Sequence, residues 1–148
     1  MIRNLVTTDV PRLLRIAELM HAESLYSMYP LNLERTKYIL EELIPQYQVY
    51  TVGVEVDGVL VGVFLGEVTT DLWAEVHVAR DIILYMVPEY RGGGHGVRLL
   101  KGFRKWAEPL SDVVVISVFA GIDNEKMSGL LTRLGYSDAG SLHLRSAA

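Results

Sequence analysis

The sequence predicts a mixed α/β fold: one sheet of about six to seven strands with four helices packed on it. Three observations carry this. Residues 82–87 form an apolar run that meets a glycine-rich turn. Beyond that turn Val97, Leu99, Leu100, Phe103, Trp106 and Ala107 recur at helical spacing. Two further apolar segments, 49–56 and 59–68, flank Asp57-Gly58, a dipeptide suited to a tight hairpin turn.

Taken in order, Met1 to Val6 is apolar enough for a short first strand. Thr7, Thr8 and Asp9 offer N-caps to a helix whose inner face is Val10, Leu13, Leu14, Ala17 and Met20. Residues 22–32 break that pattern. Asn32 then caps a second helix, with Ile39, Leu40, Leu43 and Ile44 facing inward and Pro45 closing it. The hairpin follows. Residues 75–87 are the next strand, and they lead into the glycine turn. Residues 113–119, Val-Val-Val-Ile-Ser-Val-Phe, are continuous enough to be a strand buried on both faces. Asp123 or Asn124 caps a last helix with the stripe Met127, Leu130, Leu131 and Leu134, and Gly135 stands where a helix C′ glycine belongs. Leu142 and Leu144 alternate in a final short strand. Repeats, low-complexity tracts and linkers are not evident, so residues 1–148 are expected to form one domain.

Half of the 148 residues are hydrophobic and 22% are charged, a globular balance. Eighteen apolar residues never occur in succession, and the first residues do not open a signal peptide, so a cytoplasmic location is expected and no membrane span. The lack of cysteine excludes disulfides, thiolate zinc sites and a cysteine nucleophile. His21, His77, His95 and His143 lack metal-ligand spacing, and no metal is expected. A net charge of −4 with scattered basic residues argues against nucleic acid as a partner. The one basic group, Arg98, Lys101, Arg104 and Lys105, reads as a solvated helix face, with a partial footing for a phosphate or an acidic partner as the alternative.

The glycine turn carries the chemistry. A helix that begins in glycines leaves its first N–H groups uncovered, and with about half a positive charge from the helix dipole they make an anion site suited to phosphate or pyrophosphate. Spacing narrows the choice. Neither Lys-Ser nor Lys-Thr follows the glycines, so this is not a P-loop. Val97 stands where a dinucleotide fingerprint needs its third glycine. The pattern that fits is Arg-x-x-Gly-x-Gly, at Arg91, Gly94 and Gly96, preceded by Val87-Pro88-Glu89-Tyr90. It resembles the acyl-CoA-binding motif of the GCN5-related N-acetyltransferase (GNAT) superfamily.

That resemblance extends to the order of elements, which is similar to the acetyltransferase fold. It implies that the parallel strands 82–87 and 113–119 splay apart and that acetyl-CoA lies between them. It also implies that the amides of Gly92, Gly93, Gly94, His95, Gly96 and Val97, introduced by Arg91, hold the CoA pyrophosphate. A second signature in the family reads Asn-x-x-Ala-x-x-Leu-Tyr-x-x-x-Gly-Phe. Here Asn124, Leu130 and Gly135 match and Tyr136 replaces Phe. Asn124 is thereby implied near the pantetheine arm. The family's tyrosine, which often protonates the departing thiolate, is Leu131 in this chain. Either the thiolate leaves without a strong acid, or Tyr85, Tyr136 or His143 substitutes, or the fold has kept binding and lost chemistry.

The expected activity is N-acetyl transfer from acetyl-CoA to a primary amine, on a small molecule or a protein; the alternative is an inert binding protein on the same scaffold. A backbone N–H must meet the oxyanion, and the motif puts it at Met86 or Val87, just before Pro88. The amine must lose a proton. Glu75, His77, Asp81 and Tyr85 fall in one row if the strand is unbroken; a bulge would change that register. Asp81 interrupts an apolar run, so it is either paired, with Arg80 or Arg3, or kept for the site. Glu23, Tyr26 and Tyr29, in the irregular stretch before the second helix, would form the acceptor wall and clasp a cationic amine. Residues 141–148 would leave a sheet edge suited to pairing with a second copy.

Overall fold

The tightest turn of the chain is the one that Asp57-Gly58 specifies. Both residues have positive φ, 49° and 76°, the geometry that matches a two-residue loop to the twist of its strands. In the computed structural model, which describes residues 1–146, this turn joins β2 (Val49–Val56) to β3 (Val59–Thr70). The other elements are β1 (Ile2–Asn4), α1 (Val10–Glu23), α2 (Leu33–Leu43), β4 (His77–Met86), α3 (His95–Ala107), β5 (Val113–Val115) and α4 (Asn124–Arg133). Single 3-10 turns occupy Thr7–Asp9, Leu25–Met28 and Pro88–Tyr90. The sheet runs β1-β2-β3-β4-β5. Its first three pairings are antiparallel, and β4–β5 is parallel over residues 78–80 and 113–115.

Each face of the sheet buries its own core. On one face Val54, Phe64, Ala79 and Met86 pack under Leu99, Leu100, Phe103 and Ala107 of α3 and Leu131 of α4. Phe64 and Phe103 stack at 4.5 Å. Gly66 makes this approach possible, because a Cβ there would collide with the Phe103 ring. On the other face Leu60, Val63, Leu65 and Tyr85 meet Val10, Leu13 and Ile16 of α1 and Leu40 and Ile44 of α2. Asn32 caps α2 by accepting from the Arg35 amide at 2.9 Å. Asp9 stands at the start of α1 without capping it. Its carboxylate instead accepts from Arg3 at 2.8 and 2.9 Å and from the Val6 amide.

At α4, Asp123 takes the N-cap position in the left-handed region (φ 47°) and does not cap with its side chain. Asn124 is the first helical residue; its side chain accepts from the Gly121 amide at 3.2 Å. At the other end Gly135 (φ 91°) donates to the Thr132 carbonyl and Tyr136 to the Leu131 carbonyl, the paired closure of a Schellman motif.

Three expectations need correction. The run 113–119 is ladder-bonded only through Val115, and Val113 and Val115 are exposed. They lie at the sheet edge with no strand beyond them among the described residues, so they are not buried on both faces. The strand expected around Leu142 and Leu144 is not formed. Both side chains are exposed and the backbone over 141–146 joins no ladder, which leaves five strands where six to seven were expected. Part of the edge proposed for pairing, Ala147 and Ala148, lies outside the described residues. Finally, β4 begins at His77, not Glu75.

Candidate active site

β4 and β5 part company immediately after Arg80 and Val115. The next available amide on the β5 side, Ser117 N–H, is taken by the Asp81 carboxylate at 2.8 Å instead of by a β4 carbonyl. One residue later β4 bulges. Leu65 pairs with Ile83 and Gly66 with Asp81, so Ile82 is extra. A side-chain hydrogen bond and a bulge together open a cleft of ≈ 250 Å³ between residues 81–86 and 116–120. Met127 and Leu130 of α4 close one side, and Met20 and Tyr26 close the other.

The bulge breaks the expected row. Ala79 and Met86 pack on the same face although they are seven positions apart, which would put them on opposite faces of a regular strand, and Tyr85 packs on the opposite one. Asp81 therefore keeps the orientation of Ala79, and Tyr85 does not continue its row. His77 sits at the far end of β4, about 13 Å along the strand from Asp81 at the usual rise. It is exposed and faces Asp112, with Nδ1 to Oδ2 at 3.9 Å, and it does not line the cleft. Glu75 precedes the strand. Of the row, only Asp81 and Tyr85 line the cleft. Asp81 is not paired with an arginine: Arg80 donates to Thr69 and Arg3 to Asp9 and Glu55. Burial pushes the Asp81 carboxyl up, against the pull of the Ser117 amide.

Backbone directions settle which amide faces the cleft. Val87 N–H donates to the Val61 carbonyl at 2.8 Å, so it is spent on β3 and is not the free donor. The Met86 carbonyl points the other way, where it accepts from Arg91 Nε at 2.9 Å. Within an antiparallel strand the N–H and C=O of one residue point to the same side. The Met86 N–H therefore points away from β3, toward the cleft that Met86 lines.

The glycine turn runs on from there. Gly92 (φ 83°) and Gly94 (φ 80°) adopt left-handed backbone, and Gly94 is the N-cap of α3. The first helical bond is Arg98 N–H to the Gly94 carbonyl at 3.1 Å, so the amides of His95, Gly96 and Val97 precede it and have no helical acceptor. A Cβ built at Gly92, Gly94 or Gly96 meets nothing within 4 Å. Gly96 is helical, and its backbone needs no glycine; what the missing side chain gives is an open approach to those amides. The residues thus fit a pyrophosphate at this turn. The His95 ring is turned to Arg98 at 2.8 Å, which leaves its backbone to the turn. Gly93 completes the turn; a Cβ there would make ordinary contact with the His95 ring and the Tyr90 carbonyl.

Arg91 and Glu23 differ from what was expected of them. Glu23, the last residue of α1, forms a two-pronged ion pair with Arg91 and accepts from the Tyr85 hydroxyl. Burial works against the Glu23 carboxylate, yet those two donors hold its pKa below the ordinary range. Its charge is thus already matched and not directed at an acceptor. The Arg91 guanidinium lies 5.4 Å from the Tyr85 ring centre. Arg91 thereby joins Met86, Tyr85 and the end of α1, and its side chain is engaged by Glu23. Burial and then Glu23 push the Tyr85 phenol well up. Tyr26 lines the cleft edge-on to Phe119 at 6.3 Å, whereas Tyr29 is exposed and touches the cleft only through Tyr26.

Asn124 lines the cleft next to Lys126. Leu131, at 6% exposure, belongs to the α3-side core and not to the cleft. The proposed substitutes for its missing hydroxyl are no better placed. Tyr85 donates to Glu23. His143 pairs with Ser141 outside the cleft. The Tyr136 hydroxyl is buried without a partner and does not line the cleft. Sequence reasoning missed Ser117, whose amide fixes Asp81. The contact is made by a backbone amide, so the serine itself gave no signal for it.

A model of the acetyltransferase (GNAT) family matches residues 16–136, from the middle of α1 through the Schellman motif. The chain belongs to the GNAT acetyltransferase family. Its fold agrees with that of several GNAT enzymes. An aminoglycoside N-acetyltransferase solved with CoA superposes with a TM-score of 0.77 at 13% identity, covering 100% of this chain and 95% of that one. A ribosomal-protein-alanine N-acetyltransferase from Brucella melitensis gives 0.71 at 16% identity, covering 99% and 98%. An aminoglycoside 6'-N-acetyltransferase from Acinetobacter haemolyticus gives 0.73 at 12% identity, covering 100% and 98%. Identities this low establish the fold alone. No curated protein matches the sequence. GNAT enzymes take their acyl group from acetyl-CoA, and in this GNAT chain the splayed strands and the open glycine turn have the form that donor requires. None of the helices described is long and apolar enough to cross a membrane.

Proposed function

We propose that this chain transfers an acetyl group from acetyl-CoA to a primary amine. The observation that supports this best is the meeting of two groups in one cleft: the outward Met86 N–H and the half-buried Asp81 carboxylate. Acetyl-CoA supplies an acetyl thioester. The amides of residues 92–97 bind its pyrophosphate, and Asn124 lies beside the pantetheine arm. Val87 has no part in this, because its N–H is bonded to Val61 and its side chain packs on the α1-side core.

Asp81 accepts a proton from the incoming ammonium, whose pKa near about 10 otherwise leaves few neutral amines at pH 7. The C–N bond forms, and the Met86 N–H meets the charge that develops on the carbonyl oxygen. The C–S bond breaks and the electron pair stays on sulfur, while the nitrogen gives up its second proton, through water, to the thiolate, leaving the amide and free CoA thiol. A thiolate with a pKa near about 8.5 is a stable leaving group, so the chain needs no strong acid at Leu131. Tyr85 serves as a brace for Glu23 and Arg91, and His77 has no part in the chemistry.

Amine-dependent release of free CoA thiol tests the reading. Wild-type protein with an amine panel should release thiol, and Asp81→Asn should lower kcat/KM by about 10²–10³-fold. Leu131, standing where the family's tyrosine acid is expected, favours one rival, an inert binding protein. Tight acetyl-CoA binding with no thiol release from any amine would establish that rival.

A further inference from the structure

We propose that the acceptor is a small amine with one positive charge and an aromatic body, seated on Tyr26, and not a polycation. This rests on the N-acetyltransfer reading and names the substrate class for the same site.

The cleft passes through the sheet, and its two ends differ. Leu84, Val118, Met127 and Leu130 belong to the α3 side, where the glycine turn leads in. Met20, Ile83 and Ile122 belong to the α1 side, joined there by Tyr26 and Phe119. The acceptor end is therefore walled by aliphatic side chains and an edge-to-face aromatic pair. On the adjoining 3-10 turn Leu25 and Met28 are exposed, and Tyr29, just beyond it, is exposed at 6.3 Å from Tyr26. Large apolar side chains grouped at a cleft mouth mark a surface that binds apolar matter.

Charge points the same way. Among the described residues only Asp81 and Asp123 bring carboxylates to the cleft lining, and Lys126 and Arg91 line it too. Glu23, the acid nearest the mouth, is matched by Arg91. Neither Asp81 nor Asp123 forms an ion pair among the described residues, but Lys126 offsets one of those two charges within the same lining, and the Asp81 charge reaches the Tyr26 hydroxyl. A single ammonium therefore finds a partner. A second or third ammonium on the same molecule would be pressed against apolar walls and stripped of water without compensation. An aromatic ring gains there instead, against the Tyr26 face and the aliphatic side chains.

The test is calorimetric binding of 2-phenylethylamine, spermidine and kanamycin to protein saturated with CoA, so that transfer does not occur. 2-Phenylethylamine should bind at least about tenfold more tightly than either polycation. Tyr26→Ala should weaken it by about tenfold and leave CoA affinity unchanged, and Tyr26→Phe should restore it. Equal or tighter binding of spermidine or kanamycin overturns the proposal. So does failure of all three amines to bind the CoA-loaded protein, or indifference to Tyr26→Ala. If CoA itself does not bind, the N-acetyltransfer reading falls first and this proposal with it.

Discussion

Asp81 holds two positions at once: it accepts the Ser117 amide that keeps the strands apart, and it is the carboxylate of the cleft. Burial raises its pKa, so the folded protein binds that proton more tightly than the unfolded chain. The ionised form costs stability, a cost absent at low pH and incurred as pH rises from the unfolded pKa through the folded one. The proposed transfer needs that same ionised form. Hence kcat/KM should fall as pH drops through the raised pKa, above the range of an ordinary carboxylate, in a pH–rate profile. Asn at this position keeps an acceptor for Ser117 and removes the charge. Asp81→Asn should raise the melting temperature at pH 7 by about 2–4 °C while activity collapses. A fall in melting temperature would mean that the charge itself holds the splay. The sequence made Asp81 conspicuous because it interrupts an apolar run, but the partner it finds is a backbone amide, which residue identity does not encode.

Between elements, the bond that matters most is the Arg91–Glu23 pair, which ties the turn before α3 to the end of α1. Sixty-eight positions separate the two residues, and a contact across such a distance leaves no periodic mark in the sequence. Arg91 also supports the Met86 carbonyl. Glu23→Gln should therefore loosen both ends, with a stability loss of about 1–3 kcal/mol in urea melts and a raised KM for acetyl-CoA. A change in stability with no change in KM would limit the pair to a structural part. Gly66 gives a second check. Gly66→Ala forces the Phe103 ring off β3 and should cost about 1–3 kcal/mol. The readable elements were those whose signals are local. Asp57-Gly58 sets its own backbone, Asn32 caps its own helix, and Gly135 ends α4. The bulge at Ile82 has no local signature, yet it decides that Asp81 and Tyr85 do not share a face. The valine run at 113–115 reads as a central strand by composition and is an edge by topology.

For the molecule as a whole, two stability cores meet on one sheet, and the cleft opens where that sheet is weakest. Resistance to acid should depend on the α1 side. There Arg3 and then the Val6 amide hold the buried Asp9 carboxyl at about 2, below its ordinary 3.8. A depressed carboxyl stabilises the fold above its unfolded pKa, and the gain is lost as pH falls from about 4 toward 2. Asp9→Asn should cost about 2–3 kcal/mol at pH 7 and flatten stability against pH in that window, as followed by circular dichroism. Fold and family were legible because the glycine turn follows a strand and opens a helix, a context that gives a short motif its meaning. The acceptor was not legible, since Glu23, the residue that suggested a cation clasp, is matched from elsewhere in the chain. The central claim is that the amides of residues 92–97 hold the donor's pyrophosphate. It is tested most directly by calorimetric titration with acetyl-CoA of the wild type and of a Gly94→Glu, Gly96→Glu double variant. Micromolar binding by the wild type, lost in a variant that still folds, is the predicted result. Undiminished binding by the folded variant, or none by the wild type, would contradict it.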